Sequence, residues 1–411
     1  MKRIAVLTFI YLMFFSTAVL AKGISFLVIE GDSFLVNKAI KELGPHPGFD
    51  VRFFTYSEIK KEKEVRDFIR NSHVIIVDVM KKELSDYVLE NVDLQRVKVY
   101  ALRGSRNDEA LKKKGFIFDR EIQDYFKYLS VKNVRNLVLK VAHDELDPSI
   151  RFEPPVVTPI LGIYHPRAQS IFTSYKDYVA WYKSKGLWKG HGPWIGIPFF
   201  SSSLAEGQKN IMDYVIERLE REGFNLLACF GKDIDVLKKF FIDPMGQSRV
   251  DLIVAFSLKF YSALNDQLRS TLLNIDIPVI NAVKLYSIDI DKWWKDPVGI
   301  PPMDVVWTIA NPEISGAIEP TPLSGRVCVK DEDKGNVLFA GRPISQTLEL
   351  LIPRIRKWLA LKTNENRTKR IAILFYNHSQ GKQKIGASYL NVFRSLEIIL
   401  QRLEQEGYLV G

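Results

Sequence analysis

The sequence predicts an α/β protein made of consecutive doubly wound, flavodoxin- or Rossmann-like parallel-sheet domains, the last of them incomplete. Three observations predict it. Short apolar runs of strand length recur along the chain, among them "GISFLVIE", "HVIIVDVM" and "VDLIVAFS". Between them lie segments with apolar residues at helical spacing, such as Leu35, Ala39, Ile40 and Leu43. The two periods alternate for most of the chain, and strands that read as continuous apolar runs belong to parallel sheets covered by helices on both faces.

Taken in order, "KGISFLVIE", "FDVRFFTY", "HVIIVDVM" and "VKVYALRG" read as four strands, with amphipathic segments such as "KEVRDFIRN" between them, and define a first domain over residues 22–145. The stretch "DELDPSIRFEPPVVTPI" carries acids and four prolines without a period and marks a boundary. A second α/β region spans 155–362. It opens on "LGIYHP" and continues through a helix at "YKDYVAWYKSKG", a strand at "PWIGIPFF" and a helix at "NIMDYVIERLEREG". The strands "FNLLACFG", "VDLIVAFS" and "IPVINAV" follow, each introduced by a helical segment. The Pro- and Trp-rich run from Trp293 to Pro322 reads as packed irregular chain, and the helix "SQTLELLIPRIRKWLALK" leads to the polar "TNENRTKR". From Arg370 a further strand, glycine loop and helix begin a third unit, 370–411.

The N-terminus has a different character. Lys2 and Arg3 precede an uncharged run from Ile4 to Leu20, with Val19 and Ala21 at the small-residue positions of a cleavage site. Residues 1–21 therefore read as a secretory signal, or as a membrane anchor if uncleaved, and the rest of the chain is expected to be exported, on the periplasmic or extracytoplasmic face. Export would permit a disulfide, but Cys229 lies in the apolar run "NLLACF" and reads as core, leaving Cys328 alone.

The 411 residues carry 58 Lys and Arg against 48 Asp and Glu, a formal net charge of +10. The cations are interspersed with acids on helix faces such as "VIERLEREG", with no basic stripe interleaved with aromatics, so no nucleic-acid partner is expected. No HExxH, no GxSxG and no Cys/His pair at metal spacing occurs, so the residues alone name no catalytic group and no metal ligand. Candidate ligand-binding residues come from position. Tyr164 and His165 end a predicted strand, where α/β folds bind ligands, although His165 would serve equally well to shape the turn at Pro166. Asn377, His378 and Gly386 belong to the strand-to-helix loop "NHSQGKQKIG", which lacks the Lys and Ser/Thr of a phosphate loop but opens at a helix N-terminus.

The C-terminal stretch "GKQKIGASYLNVFRSLEIILQRLEQEGYLVG" resembles a segment of the family formed by the cobaltochelatase large subunit (CobN) and the H-type large subunit of magnesium chelatase. Further matches run through "GIYHP", "WIGIPFFSSS", "RLEREGFN", "LNIDIPVINAV" and "NPEISGAIEP", so the resemblance covers roughly residues 155–411. It implies the N-terminal portion of a much larger chelatase subunit that binds a tetrapyrrole (corrin, porphyrin or haem), as in cobalamin or related biosynthesis. It also implies that a divalent metal and ATP enter only through a complex with AAA+ partner subunits, with the catalytic carboxylates and histidines beyond Gly411. Two features depart from the family pattern: His378 and Ser379 stand where prolines usually precede the loop glycine, and the export signal points instead toward relatives that bind haem, or remove its metal, without ATP-dependent insertion.

Overall fold

The computed structural model describes residues 22–46, 48–258, 265–331, 337–374 and 390–410. Its first sheet has five parallel strands: β1 (Lys22–Val28), β2 (Phe49–Thr55), β3 (Val74–Val77), β4 (Lys98–Ala101) and β5 (Phe116–Ile117), in the order β2-β1-β3-β4-β5. The longer helices around it are α1 (Ser33–Leu43), α2 (Lys63–Arg70), α3 (Lys82–Asn91), α4 (Arg120–Lys127) and α5 (Val131–Glu145). The period of two along β1 explains why apolar residues fall on both of its faces. Ile24, Phe26 and Val28 join a core with α1 and α5, while Leu27 points the other way into a core with α2 and α3.

The proline-rich stretch after α5 is pinned to the first unit rather than free. Asn136 Oδ1 accepts the Glu153 N–H at 2.8 Å, Asn133 Oδ1 accepts that of Val156 at 2.8 Å, and Ile150 is buried in the first core. A chain without its own ladder has its backbone groups satisfied by side chains of the neighbouring helix.

The second sheet has seven strands, β6 (Gly162–Ile163), β7 (Trp194–Phe199), β8 (Asn225–Phe230), β9 (Leu252–Ala255), β10 (Val279–Asp289), β11 (Ile318–Lys330) and β12 (Val337–Pro343), in the order β12-β11-β10-β9-β7-β8-β6. Strands β7 to β11 are parallel to their neighbours, whereas β6 and β12 run antiparallel at the two edges. Counted from β7, the parallel set repeats the 2-1-3-4-5 order of the first sheet, the doubly wound pattern expected from sequence. The longer helices are α6 (Tyr175–Ser184), α7 (Asn210–Arg221), α8 (Asn265–Ile275) and α9 (Ser345–Thr363). Ile195, Ile197 and Phe199 of β7 pack with α7 and α9, and Leu227 and Cys229 of β8 pack with Tyr178 and Tyr182 of α6 on the opposite face. Both cysteines are free thiols, Cys229 buried and Cys328 exposed.

Beyond α9, residues 371–374 join no ladder among the described residues, with Leu374 94% exposed, and the rest of the strand expected there lies outside them. Helix α10 (Val392–Gln405) follows and buries none of its residues. No helix among the described residues is long and apolar enough to cross a membrane, and the N-terminal segment 1–21 lies outside them.

The two sheets are locked together by α1 and the loop ahead of α7. Ser33 Oγ accepts the Phe339 N–H at 2.9 Å and Lys38 pairs with Glu206 at 2.9 Å, while within the second unit Gly341 donates to the Gly207 carbonyl at 2.7 Å and holds that loop against β12. Ala205 and Leu338 of the second unit complete the core of the first. Gly207 has φ +80°, and a Cβ there would meet the Phe34 side chain at 2.7 Å. Gly207→Ala therefore combines left-handed strain with overpacking, and we expect it to cost roughly 2–4 kcal/mol in urea unfolding. Gly223→Ala is the control, since Gly223 has φ +86° but open space around it. Its cost should be about 1 kcal/mol, and equal losses at the two positions would show that Phe34 does not press on residue 207.

Candidate functional site

Both sheets turn their carboxyl edges to one cleft, a cavity of about 670 Å³. From the first unit come Ile29 to Asp32 after β1, Met80 after β3, Arg103 after β4, and the end of α4 with Phe126. From the second come Ser201, Ser202, Leu204 and Gln208 after β7, Phe230 at the end of β8, Lys284 to Tyr286 within β10, and Arg326 and Phe339. In a 2-1-3-4-5 sheet the loops after strands 1 and 3 diverge to opposite faces and leave a crevice at the carboxyl edge. Here the crevices of two such sheets open to the same space, whose volume lies in the range of about 300–1,000 Å³ usual for small-molecule sites.

The walls are largely apolar, and the charges set in them are ordered. Arg103 donates to Asp32 Oδ2 at 2.7 Å and to Asp78 Oδ2 at 2.6 Å, and its guanidinium lies 4.7 Å from the Phe126 ring centre. Burial pushes the Asp78 carboxyl up, with the Asp32 charge acting the same way and Arg103 opposing it. Burial works against the Arg103 charge too, but the two carboxylates outweigh it and raise its affinity for the proton. Lys81 pairs with Glu30 at 2.8 Å, and Arg326 with Asp289 at 3.0 Å. Lys284 is different: its ammonium donates to Gln208 Oε1 at 2.9 Å, and burial lowers the amine to about 8 while the Asp32 charge pulls it back up.

Tyr164 and His165 stand apart from this lining. Tyr164 Oη donates to Asp213 of α7, and its ring meets Phe199 edge-on at 6.3 Å. His165 accepts the Arg167 N–H on Nδ1 at 3.1 Å, which places its proton on Nε2, and Nε2 donates to Glu220 Oε1 at 2.9 Å. The Tyr182 hydroxyl donates to the same oxygen at 2.7 Å and accepts the Leu226 N–H at 3.3 Å. Both ring nitrogens of His165 are thus committed to protein partners, tying β6, α6, α7 and β8 together. Asn377, His378 and Gly386 lie outside the described residues. Among the described residues no three His, Cys, Asp or Glu side chains stand close enough to hold a metal ion.

The residues that do line the cleft carried little signal in the sequence. Asp32 and Arg103 follow strands and were open to the same positional reasoning as Tyr164. Lys284 lies inside a strand longer than the apolar run "IPVINAV" that announced it, and Gln208 sits in a loop with no motif.

Glu220 is the hub of the buried His165 network. Burial alone would raise its carboxyl, but hydrogen bonds from His165 and Tyr182 outweigh that and hold it below the usual carboxylate range. A carboxylate depressed by folding stabilises the protein above its unfolded pKa and loses that contribution as pH falls through the folded value. Glu220→Gln should therefore cost about 1–3 kcal/mol at neutral pH, and the gap from wild type should close below about pH 4 in urea melts. A gap independent of pH would show that the charge of Glu220 contributes nothing.

The family model described as CobN/Magnesium Chelatase matches residues 123–411. The H-type large subunit of magnesium chelatase from Chlorobaculum parvum is 29% identical over 304 residues, 71% of this chain and 23% of its own length. The aerobic cobaltochelatase subunit CobN of Pseudomonas aeruginosa is 22% identical over 322 residues, 74% of this chain and 24% of its own. Among solved structures, the catalytic subunit of cobaltochelatase from Mycobacterium tuberculosis superposes with a TM-score of 0.53 and 17% identity over 95% of this chain and 31% of that one, which speaks for the fold. The chain spans about a quarter of the length of these curated relatives. With two docked sheets of the same winding order and a family match running from α4 to the last residue, the chain belongs to the CobN/magnesium chelatase family.

Proposed function

We propose that this chain is the N-terminal portion of a chelatase-type large subunit, and that its cleft seats a tetrapyrrole for metal insertion. The observation that carries the reading is the cleft itself: about 670 Å³, built from the carboxyl edges of both sheets, apolar in its walls and cationic at chosen points. A tetrapyrrole is a broad apolar disc with acidic side chains at its rim. Ile29, Leu204, Phe230, Leu285 and Phe339 offer it apolar surface, while the cations of the lining offer it counter-charges. The divalent metal is cargo in this account, and ATP acts through AAA+ partner subunits of the full complex. The loop with Asn377, His378 and Gly386 opens the third unit and would contribute to the ligand from there.

A second reading is favoured by the N-terminal segment, where Lys2, Arg3 and the run from Ile4 to Leu20 have the make-up of an export signal. On that reading the protein lies outside the cytoplasm, either free or anchored by residues 1–21, and binds haem or a related macrocycle, or releases its metal, without ATP-dependent insertion. Both readings require macrocycle binding. Protoporphyrin IX titrated into the purified chain should shift and saturate its Soret band at low micromolar concentration, and an unshifted spectrum would contradict both. Blotting for the chain in periplasmic and spheroplast fractions then separates them: recovery with the periplasm or the outer membrane face supports the exported binder, and recovery with the cytoplasm supports the chelatase component.

A further inference from the structure

Lys284 sits part-way along β10, with its ammonium at the floor of the cleft. Beyond the Gln208 Oε1 contact at 2.9 Å, it lies 5.4 Å from the Tyr286 ring centre and makes no ion pair among the described residues. The two arginines of the lining do otherwise: Arg103 holds two carboxylates and Arg326 one, while Lys127, the other lysine of the lining, faces the Tyr128 ring at 5.0 Å. Asp32, the acid whose field reaches Lys284, spends its Oδ2 on Arg103.

Gln208 is held where it can orient that amine. Its amide nitrogen faces the Gly31 carbonyl at 3.5 Å across the junction, and Gly341 packs so closely that a Cβ there would lie 2.6 Å from Gln208 Oε1. The amide oxygen is thus presented to Lys284 by both units. One of the three ammonium donors is used, and two remain for the cleft. A desolvated ammonium without a counter-ion either gives up its proton or takes an anion. With Leu285, Phe230 and Phe339 in the lining of the same cavity, a compatible anion is one carried on an apolar body.

We propose that Lys284, oriented by Gln208, is a carboxylate-accepting subsite that binds an acidic side chain of an otherwise apolar ligand in the cleft. This rests on the tetrapyrrole reading above. The subsite accounts for a cation placed deep in an apolar wall and for the amide that fixes it across two units.

The test compares protoporphyrin IX, which carries two carboxylates, with its dimethyl ester, titrated into the full chain and into Lys284→Met. The wild type should bind the free acid about tenfold more tightly than the ester, the size expected for one charge-assisted hydrogen bond, and Lys284→Met should bind the two alike. Since burial places the Lys284 amine near 8, its attraction for a carboxylate is present below that value and lost above it. Raising the pH from about 7 to about 9 should therefore weaken the free acid in the wild type, leave its ester unchanged, and move neither in Lys284→Met. Asp32, Glu30, Arg103, Arg326, Lys127, Tyr128 and Tyr286 also face this space, and the Lys284→Met series subtracts whatever they contribute. A preference for the free acid that survives in Lys284→Met, or equal binding of acid and ester by the wild type, overturns the subsite while leaving the cleft reading intact. Failure of both probes to bind the wild type overturns the cleft reading and the subsite with it. If Lys284→Met does not fold, the pH series on the wild type decides.

Discussion

Everything that faces the cleft depends on the junction where Gly207 passes beneath Phe34. There the backbone of the second unit comes close enough for Ser33 to accept from Phe339 and for Phe34 to press on residue 207. A side chain at residue 207 would push the units apart. With the junction closed, the loop after β1 meets the loop after β7, and two crevices that a doubly wound sheet leaves by topology become one cavity. Neither sheet alone would enclose a ligand as broad as a macrocycle.

The same junction orders the charges. Asp32 at the head of α1 and Asp78 after β3 both reach Arg103, so the first unit neutralises its own buried carboxylates internally. Removing one member of such a buried set exposes the desolvation of the others. Lys284 comes from the second unit and donates to the amide oxygen of Gln208, a neutral partner. In a low-dielectric wall that contrast with Arg103 would, on the proposed reading, steer an acidic ligand rim toward β10 and leave its apolar face for Phe230, Leu285 and Phe339.

The winding of the fold was legible because it rests on periods. Runs such as "HVIIVDVM" and "FNLLACFG" have no polar face to spare, and that property follows from burial on both sides of a parallel sheet. The antiparallel edges were not legible. The strand read at "LGIYHP" gave no sign of its direction, and β12 pairs with the largely exposed end "RVCVK" of β11, which shows no apolar run of the kind that betrays a central strand. The site was legible only as a location, the carboxyl edge of the strands. Tyr164 and His165 satisfy that rule, yet their polar atoms are taken by Asp213, Glu220 and Arg167, a competition between neighbouring helices that one-dimensional spacing does not contain. Gln208 and Lys284, 76 positions apart, are brought together by the packing of the loop before α7 against β10.

The central claim is that the cleft between the two sheets seats the tetrapyrrole, and hydrogen exchange of the full chain with and without protoporphyrin IX tests it most directly. The account predicts that ligand slows exchange in three separated segments at once: residues 29–32 after β1, residues 201–208 after β7, and residues 284–286 of β10. Protection confined to the far ends of the strands, or absent from these three segments while the porphyrin is demonstrably bound, would contradict it.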